Sequence, residues 1–204
     1  MGKTDRTMSD VERLIGLLPA EPLESLVAVT RCCATVESLA AMGAAADAAM
    51  PALLRILTIP VSLDCAIAVR VAAAEAVWKV GQRHDLALPI LAWALKDEQW
   101  GMSEKAAKLL GEMGGIAHGT TPDLIGLADR RIAHGPFFFE TFTDREDSLS
   151  LLAVVARALG HCGYGVTYGK QTREMLTRLA RSQDQDARTA AVHELQQFGA
   201  MCAD

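Results

Sequence analysis

The residues of this chain that could do chemistry are few and lie far apart. Its five histidines are spread over the sequence and lack the i, i+4 spacing with which a helix binds zinc. No Gly-x-Ser-x-Gly, P-loop or dinucleotide-binding pattern is present. The sequence therefore predicts no catalytic, cofactor-binding or metal-binding residue.

The cysteines, the N-terminus and the net charge narrow the class of protein further. The five cysteines are odd in number and have neither zinc nor redox spacing, which favours reduced thiols in a cytoplasmic protein. The charged first residues contain no apolar signal core, and no apolar run approaches the roughly 18 residues that a membrane span needs. A net charge of −5 argues against a generic nucleic-acid binder and leaves a local basic patch as the alternative.

Amphipathic helices must position any site in this chain. In the segment from Val69 to Gly81, apolar residues recur at i, i+3, i+4 and i+7, the spacing of a helix with one buried face. The residues on that face are Val69, Ala72, Ala73, Ala76, Val77 and Val80. We expect Gly81 to end this helix in a left-handed conformation, because glycine adopts one without steric cost.

The same pattern recurs five times, and each copy ends on a glycine. These glycines are Gly43, Gly81, Gly114, Gly163 and Gly199. Three prolines, Pro51, Pro89 and Pro122, each follow a terminal glycine by eight residues. Proline is tolerated in a first helical turn, so each is expected near the start of a helix.

The recurrence predicts an all-α protein, an α-solenoid of about five antiparallel helix pairs in a single domain covering 1–204. The expected units are approximately 9–43, 47–81, 84–114, 121–163 and 170–199. The expected helices are 9–18 with 22–42, 47–58 with 65–80, 84–96 with 99–113, 121–132 with 147–162, and 170–182 with 186–198. Ser9-x-x-Glu12 reads as a capping box and Thr121 as an N-cap.

Three segments carry a family resemblance: "VRVAAAEAVWKVG", "DARTAAVHELQQFG" and "ALPILAWALKDE". The chain resembles HEAT-repeat proteins, above all the short bilin-lyase-type HEAT-like repeats of bacterial proteins. The resemblance implies a right-handed superhelix with the first helix of each pair on the convex side and the second on the concave side. It also implies binding of other proteins, since most members do so.

Aligning the five copies places two columns of residues on the concave side. The first column holds Glu37, Glu75, Lys108, Arg157 and His193. One turn further on, the second column holds Ala41, Lys79, Glu112, His161 and Gln197. The first column changes from acidic to basic along the chain. Either a partner of complementary polarity binds there, or the columns are an ordinary solvated helix face.

Trp78 departs from the small residues at its register, Gly111 and Gly160. It is either an anchor for a partner or a filler that folds over Ala41 or Ala74. Trp93 and Trp100 are expected to pack between helices.

A loop insertion at 133–146 contains Phe137, Phe138 and Phe139. This run is either an exposed recognition loop, which could also mediate self-association, or a plug that folds back over the helices.

The sequence thus favours a non-enzymatic scaffold or adaptor that binds an unidentified protein or peptide in the concave groove. The partner-binding candidates are Trp78, Glu75, Lys79, Lys108, Glu112, Arg157, His161, Phe137, Phe138 and Phe139. The alternative is a bilin-lyase-like or HEAT-like DNA glycosylase activity in the same groove. HEAT-repeat iron hydroxylases place several His-Glu dyads on second helices, and here only His193-Glu194 matches. The basic helix with Lys170, Arg173, Arg178 and Arg181 falls in a first-helix position.

Overall fold

Helices make up all the regular elements in the described part of the chain. The computed structural model describes residues 3–20, 23–59, 66–97, 101–134, 150–163 and 167–201. The α-helices in these ranges are α1 Lys3–Leu17, α2 Leu26–Met42, α3 Met50–Thr58, α4 Ala66–Gly81, α5 His84–Ala94, α6 Met102–Met113, α7 Thr121–His134, α8 Leu151–Cys162, α9 Gly169–Leu179 and α10 Gln185–Met201. The all-α prediction is confirmed, and each predicted helix has a counterpart.

The helices form two compact units, Met1–Ile90 and Leu91–Asp204. The division falls inside α5, directly after Pro89 and Ile90. In the first unit α2 packs against α4, and in the second unit α6 and α10 both pack against α8. One continuous solenoid in a single domain stays a prediction.

In the first unit, α4 packs against α2 on one side and α3 on another. All six residues of its predicted apolar face are buried. Val71 and Ala74, outside that face, are buried as well, because α4 has neighbours on several sides. Small side chains on α4 let these helices approach closely.

In the second unit, α8 is the central helix. It packs against α6, α10 and α7, and α9 packs against α10 and α8. Its buried residues are Leu151, Leu152, Ala153, Val155, Ala156, Ala158, Leu159, Gly160 and Cys162. The chain order α6, α8, α10 is therefore also the order in which the second helices stack.

The same link occurs twice and explains the spacing of glycine and proline. Gly43 has φ 57° and ψ −140°, and Gly114 has φ 58° and ψ −134°. Each begins a 3-10 segment, and the next α-helix then has proline as its second residue. Pro51 and Pro122 therefore lie in first turns as predicted, whereas Pro89 lies inside α5.

Both predicted helix caps are wrong. Ser9 lies in the middle of α1, because this helix begins at Lys3. The Thr121 hydroxyl donates to the carbonyl of His118 (2.7 Å), because a 3-10 segment leads directly into α7. The structure instead shows caps at Ser25, Ser150 and Asp184, whose side chains accept from the backbone N–H three residues later.

The left-handed residue after α4 is Gln82, with φ 54°, and not Gly81 as predicted. Gly81 is still helical, and the side chain of Met50 occupies the space that a Cβ would need. The Gln82 N–H donates to the Trp78 carbonyl (2.8 Å), which closes the helix end. A non-glycine residue therefore carries the strain of this turn.

One stretch, Leu26–Thr58, is long and apolar enough to span a membrane by length and composition alone. This differs from the expectation that no apolar run is long enough, because α2, a 3-10 segment and α3 follow one another without a gap. Gly43 and Ala46 depart from helical angles within it, and 39% of its 18-residue window is buried. A core helix of a soluble protein passes the same test, and a cytoplasmic location stays a prediction.

We expect Gln82→Gly to stabilise the protein by about 0.5–1 kcal/mol, because glycine removes the left-handed strain but adds freedom to the unfolded chain. Urea unfolding followed by circular dichroism measures the change. Gln82→Ala is the matched control and keeps the strain. A Gln82→Gly variant no more stable than Gln82→Ala would show that the turn is not strained.

Candidate functional site

The second helices of the second unit carry two exposed rows of side chains. Six residues before the aligned glycines lie Lys108 on α6, Arg157 on α8 and His193 on α10, and all three are exposed. We call these three residues the basic row. The second row, one turn on, holds Glu112, His161 and Gln197, which are exposed as well. The alignment thus predicted the exposure of all six residues.

Close contact between α6 and α8 fixes the spacing of the rows on these two helices. A Cβ added to Gly111 would lie 3.1 Å from the Cα of Ala158, which is tighter than almost all real contacts. The Sγ of Cys162 donates to the Leu110 carbonyl (3.2 Å) across the same contact. A Cβ at position 111 would therefore require the backbone of α8 to shift by a few tenths of an ångström.

His161 is exposed, and it also forms a hydrogen bond across the contact between α6 and α8. Its Nδ1 lies 3.0 Å from the carbonyl oxygen of Gly111. Because a carbonyl only accepts, Nδ1 carries the proton in this bond, and Nε2 is left to face other groups. His161 therefore lies in the second row with a fixed ring orientation.

The contact between α8 and α10 is built from Gly160 and Glu194. Glu194 is only 3% exposed, and its carboxyl group fills the space that a Cβ on Gly160 would need. His193 Nδ1 lies 3.1 Å from Glu194 Oε1, while the His193 side chain is 65% exposed. The contact between His193 and Glu194 therefore links an exposed residue of the basic row to the buried interface between α8 and α10. Within the described residues, no group of three or more His, Cys, Asp or Glu side chains could hold a metal ion.

The sequence did not predict that Glu194 is buried at the contact between α8 and α10. It occupies the register of Ala158, so the interface position on α8 is alanine and the one on α10 is a carboxylate. In the sequence, the small residues at positions 111 and 160 indicate that neighbouring helices approach each other closely there. No local pattern shows that a glutamate on α10 is buried against one of them.

In the first unit, the candidate Lys79 contacts both of the other candidates, Glu75 and Trp78. Lys79 Nζ lies 2.9 Å from Glu75 Oε1 and 5.8 Å from the centroid of the Trp78 ring. All three side chains are half-buried. The ammonium group thus covers part of the ring and pairs with the carboxylate. An anchor role for Trp78 stays a prediction.

The other aromatic candidates have different outcomes. Trp93 is 51% exposed, so the expectation that it packs between helices is wrong. Trp100 and the Phe137, Phe138 and Phe139 run lie outside the described residues.

The basic helix α9 is partly neutralised. Arg178 Nη1 lies 2.7 Å from Asp129 Oδ1, and Lys170 Nζ lies 4.0 Å from Glu174 Oε1. Exposed pairs of this kind add little stability, but the two carboxylates reduce the positive potential at the surface of α9.

Burial makes the thiols of Cys32 and Cys162 unreactive. Burial raises the pKa of the Cys32 thiol, and it raises the pKa of Cys162 to about 12. Cys33 is half-buried, while Cys65 and Cys202 lie outside the described residues. A neutral thiol at Cys162 suits its hydrogen bond to the Leu110 carbonyl, because a thiolate has no proton to donate.

We expect Gly160→Ala to destabilise the protein by about 2 kcal/mol, because the new methyl group overpacks the interface against Glu194. Adding Glu194→Ala should recover part of this loss, and a double-mutant cycle from urea unfolding measures the coupling. Gly126→Ala on α7 is the control: the nearest atom to its Cβ is the end of the Arg130 side chain at 3.7 Å. It should stabilise by about 0.5–1 kcal/mol through helix propensity. Equal effects at 160 and 126 would contradict the close contact.

At pH 8 we expect iodoacetamide to label Cys33 well before Cys162 in the folded protein, because only the thiolate reacts and burial suppresses it at Cys162. Peptide mass spectrometry over time measures both rates, and unfolding in urea should equalise them. Because burial raises the pKa of Cys162 from the usual 9.0 of a thiol to about 12, its contribution to stability is fully present below pH 9.0 and is lost as the pH rises towards about 12. Equal labelling rates in the folded state would contradict this assignment.

Comparison with known proteins shows the fold and nothing more specific. No protein-family model matches the chain, and no curated protein matches it. A crystal structure of an engineered protein from the Northeast Structural Genomics Consortium is similar, with a TM-score of 0.53 and 19% sequence identity. The similarity covers 91% of this chain and 78% of that one. At this level of identity, the likeness shows an all-helical fold alone.

Proposed function

We propose that this protein is a non-enzymatic protein-binding module built from HEAT-like helix pairs. The basic row on α6, α8 and α10 would bind an acidic segment of a partner protein. The observation that supports the proposal is the fixed, exposed arrangement of Lys108, Arg157 and His193 on three stacked helices.

The HEAT-like assignment rests on packing within each unit. In the second unit, each second helix packs against the next second helix in the chain, and α7 and α9 lie against α8 and α10. In the first unit, α2, α3 and α4 repeat this arrangement. Stacked helix pairs whose neighbours complete each other's core are characteristic of such repeats.

The geometry of the basic row favours an extended partner segment. Packed helices lie about 8–10 Å apart, so residues at one register on neighbouring helices are separated by about that distance. A polyproline II segment rises about 3.1 Å per residue with three residues per turn, so positions i, i+3 and i+6 share one face about 9.3 Å apart. Acidic residues at every third position would therefore each meet one residue of the basic row.

Preorganisation favours binding at this surface. Gly111, Ala158, Gly160 and Glu194 hold the three helices in close contact, so the backbone under the row needs little ordering when a partner binds. Glu112 at one end of the second row adds a negative charge. We expect this charge to determine the direction in which the chain of an acidic segment runs along the row.

The candidates of the first unit are proposed as a separate contact. Glu75, Trp78 and Lys79 form a cluster in which the tryptophan supplies apolar area and the ion pair supplies polarity. Tryptophan is one of the residue types enriched at binding hot spots.

We expect the peptide Glu-Pro-Pro-Glu-Pro-Pro-Glu-Pro-Pro to bind more tightly than a peptide of the same composition with its three glutamates adjacent. Lys108→Glu with Arg157→Glu should weaken binding of the first peptide at least tenfold, which corresponds to about 1.4 kcal/mol. Fluorescence anisotropy of labelled peptides at 50 and 200 mM NaCl measures the affinities, and salt should weaken binding.

The control for charge alone is Lys170→Glu on α9 with Arg181→Glu in the turn that follows it, which makes the same change in net charge. It should leave the affinity within about twofold of the unmodified protein. Equal weakening by both double variants would show that only net charge matters, and the proposed surface would then be wrong.

A further inference from the structure

We propose that binding of an acidic segment to the basic row is coupled to the uptake of one proton by His193. The coupling rests on the proposed function, because it describes how pH regulates that same surface. Lysine and arginine side chains are positively charged throughout the physiological pH range, whereas a histidine changes its charge between about pH 5 and 8. His193 is therefore the member of the basic row whose charge responds to pH.

A buried carboxyl group holds the His193 ring in one orientation. Nδ1 of the ring lies 3.1 Å from Oε1 of Glu194, which is 3% exposed and packs against Gly160 on α8. A carboxylate oxygen only accepts hydrogen bonds, so this contact assigns the proton of the neutral imidazole to Nδ1. Nε2, on the other side of the ring, then carries a lone pair and no proton. Because the side chain is 65% exposed, a partner reaches the ring from the Nε2 side.

A glutamate of the partner cannot form a hydrogen bond with Nε2 of the neutral ring, because both atoms only accept. When Nε2 takes up a proton from the solvent, the imidazolium donates through Nδ1 to Glu194 and through Nε2 to the partner. Hydrogen bonds with an ionised donor or acceptor are about twice as strong as neutral ones. An acidic segment on the basic row therefore binds the protonated form of His193 in preference to the neutral form.

Few charged groups on α10 lie near the His193 ring. The residues one turn away on the same face carry no charge: Thr189, Ala190, Gln196 and Gln197. Glu194 attracts a proton to the ring, and Asp186 lies two turns away, about 10.5 Å along the helix. The other charges that act on the ring at close range come from the neighbouring helices.

In the described part of the chain, α8 and α9 are the helices packed closely against α10. From α8, Arg157 lies at the same register as His193, and His161 lies one turn further on. The charged side chains of α9 are exposed and lie away from its buried face: Lys170, Arg173, Glu174 and Arg178. Arg157 repels a second positive charge on the row, and a partner carboxylate beside it offsets this repulsion. The partner thus favours the protonated ring by charge as well as by its hydrogen bond.

Binding should weaken as the pH rises, because the complex holds a proton that the solvent supplies less readily at high pH. We expect the affinity for Glu-Pro-Pro-Glu-Pro-Pro-Glu-Pro-Pro, measured by titration calorimetry, to fall about fivefold or more between pH 5.5 and pH 8.0. At pH 7.0, the binding enthalpies in two buffers with different enthalpies of ionisation give the number of protons taken up. We expect a positive number, at most about one per peptide.

His193→Gln should abolish the proton uptake and give equal affinities at the two pH values, since a glutamine amide does not change its charge. The matched control is His118→Gln. His118 is an exposed histidine of the same unit, its Nδ1 lies 3.2 Å from the Gly115 carbonyl oxygen, and it lies outside the basic row. This control should keep both the uptake and the pH dependence. Circular dichroism at both pH values checks that each variant is folded.

Glu194→Gln tests whether the buried carboxylate acts on the proton of the ring. Glutamine keeps the size of the side chain and an acceptor oxygen for Nδ1, but it removes the negative charge. We expect the pH at which half of the binding is lost to move to a lower value. An unchanged pH profile in a folded variant would overturn the role of Glu194 as a positioning residue.

Equal affinities of the unmodified protein at pH 5.5 and pH 8.0 would overturn the proton coupling and leave the proposed surface unaffected. A peptide that binds at neither pH would overturn the proposed function and the coupling with it. Uptake that survives His193→Gln but is lost in His161→Gln would place the proton on the second row, and this result would also overturn the coupling.

Discussion

The close approach of neighbouring second helices is the constraint on which the second unit depends. Gly111 lies against the backbone of Ala158, and Gly160 lies against the carboxyl group of Glu194. A Cβ at position 111 would press on the backbone of Ala158, and a Cβ at position 160 would displace the side chain of Glu194. The distance between the residues of the basic row depends on these contacts, so packing in the core determines the geometry of the proposed binding surface.

The contact between α8 and α10 also shows how a buried polar group can position an exposed one. Glu194 is buried, yet its carboxylate reaches His193, which is exposed in the basic row. His161 has a similar double role through its bond to the Gly111 carbonyl. The exposed histidines are therefore fixed by the same interfaces that set the helix spacing, and a rigid surface of this kind loses little entropy on binding.

Much of the fold could be predicted from periodicity, because an apolar face at i, i+3, i+4 and i+7 shows in the sequence wherever a helix covers a core. The helices and the exposure of Lys108, Arg157 and His193 follow from aligning the repeats. Residues set by tertiary contact did not follow from it. The burial of Glu194, the left-handed Gln82 and the exposure of Trp93 depend on which elements lie beside them.

An NMR titration shows whether an acidic extended segment binds along α6, α8 and α10. ¹⁵N-labelled protein is titrated with Glu-Pro-Pro-Glu-Pro-Pro-Glu-Pro-Pro, and amide shifts are followed residue by residue. We expect the largest changes at and beside Lys108, Arg157 and His193. Changes confined to α7 and α9, or no saturable change at millimolar peptide, would contradict it.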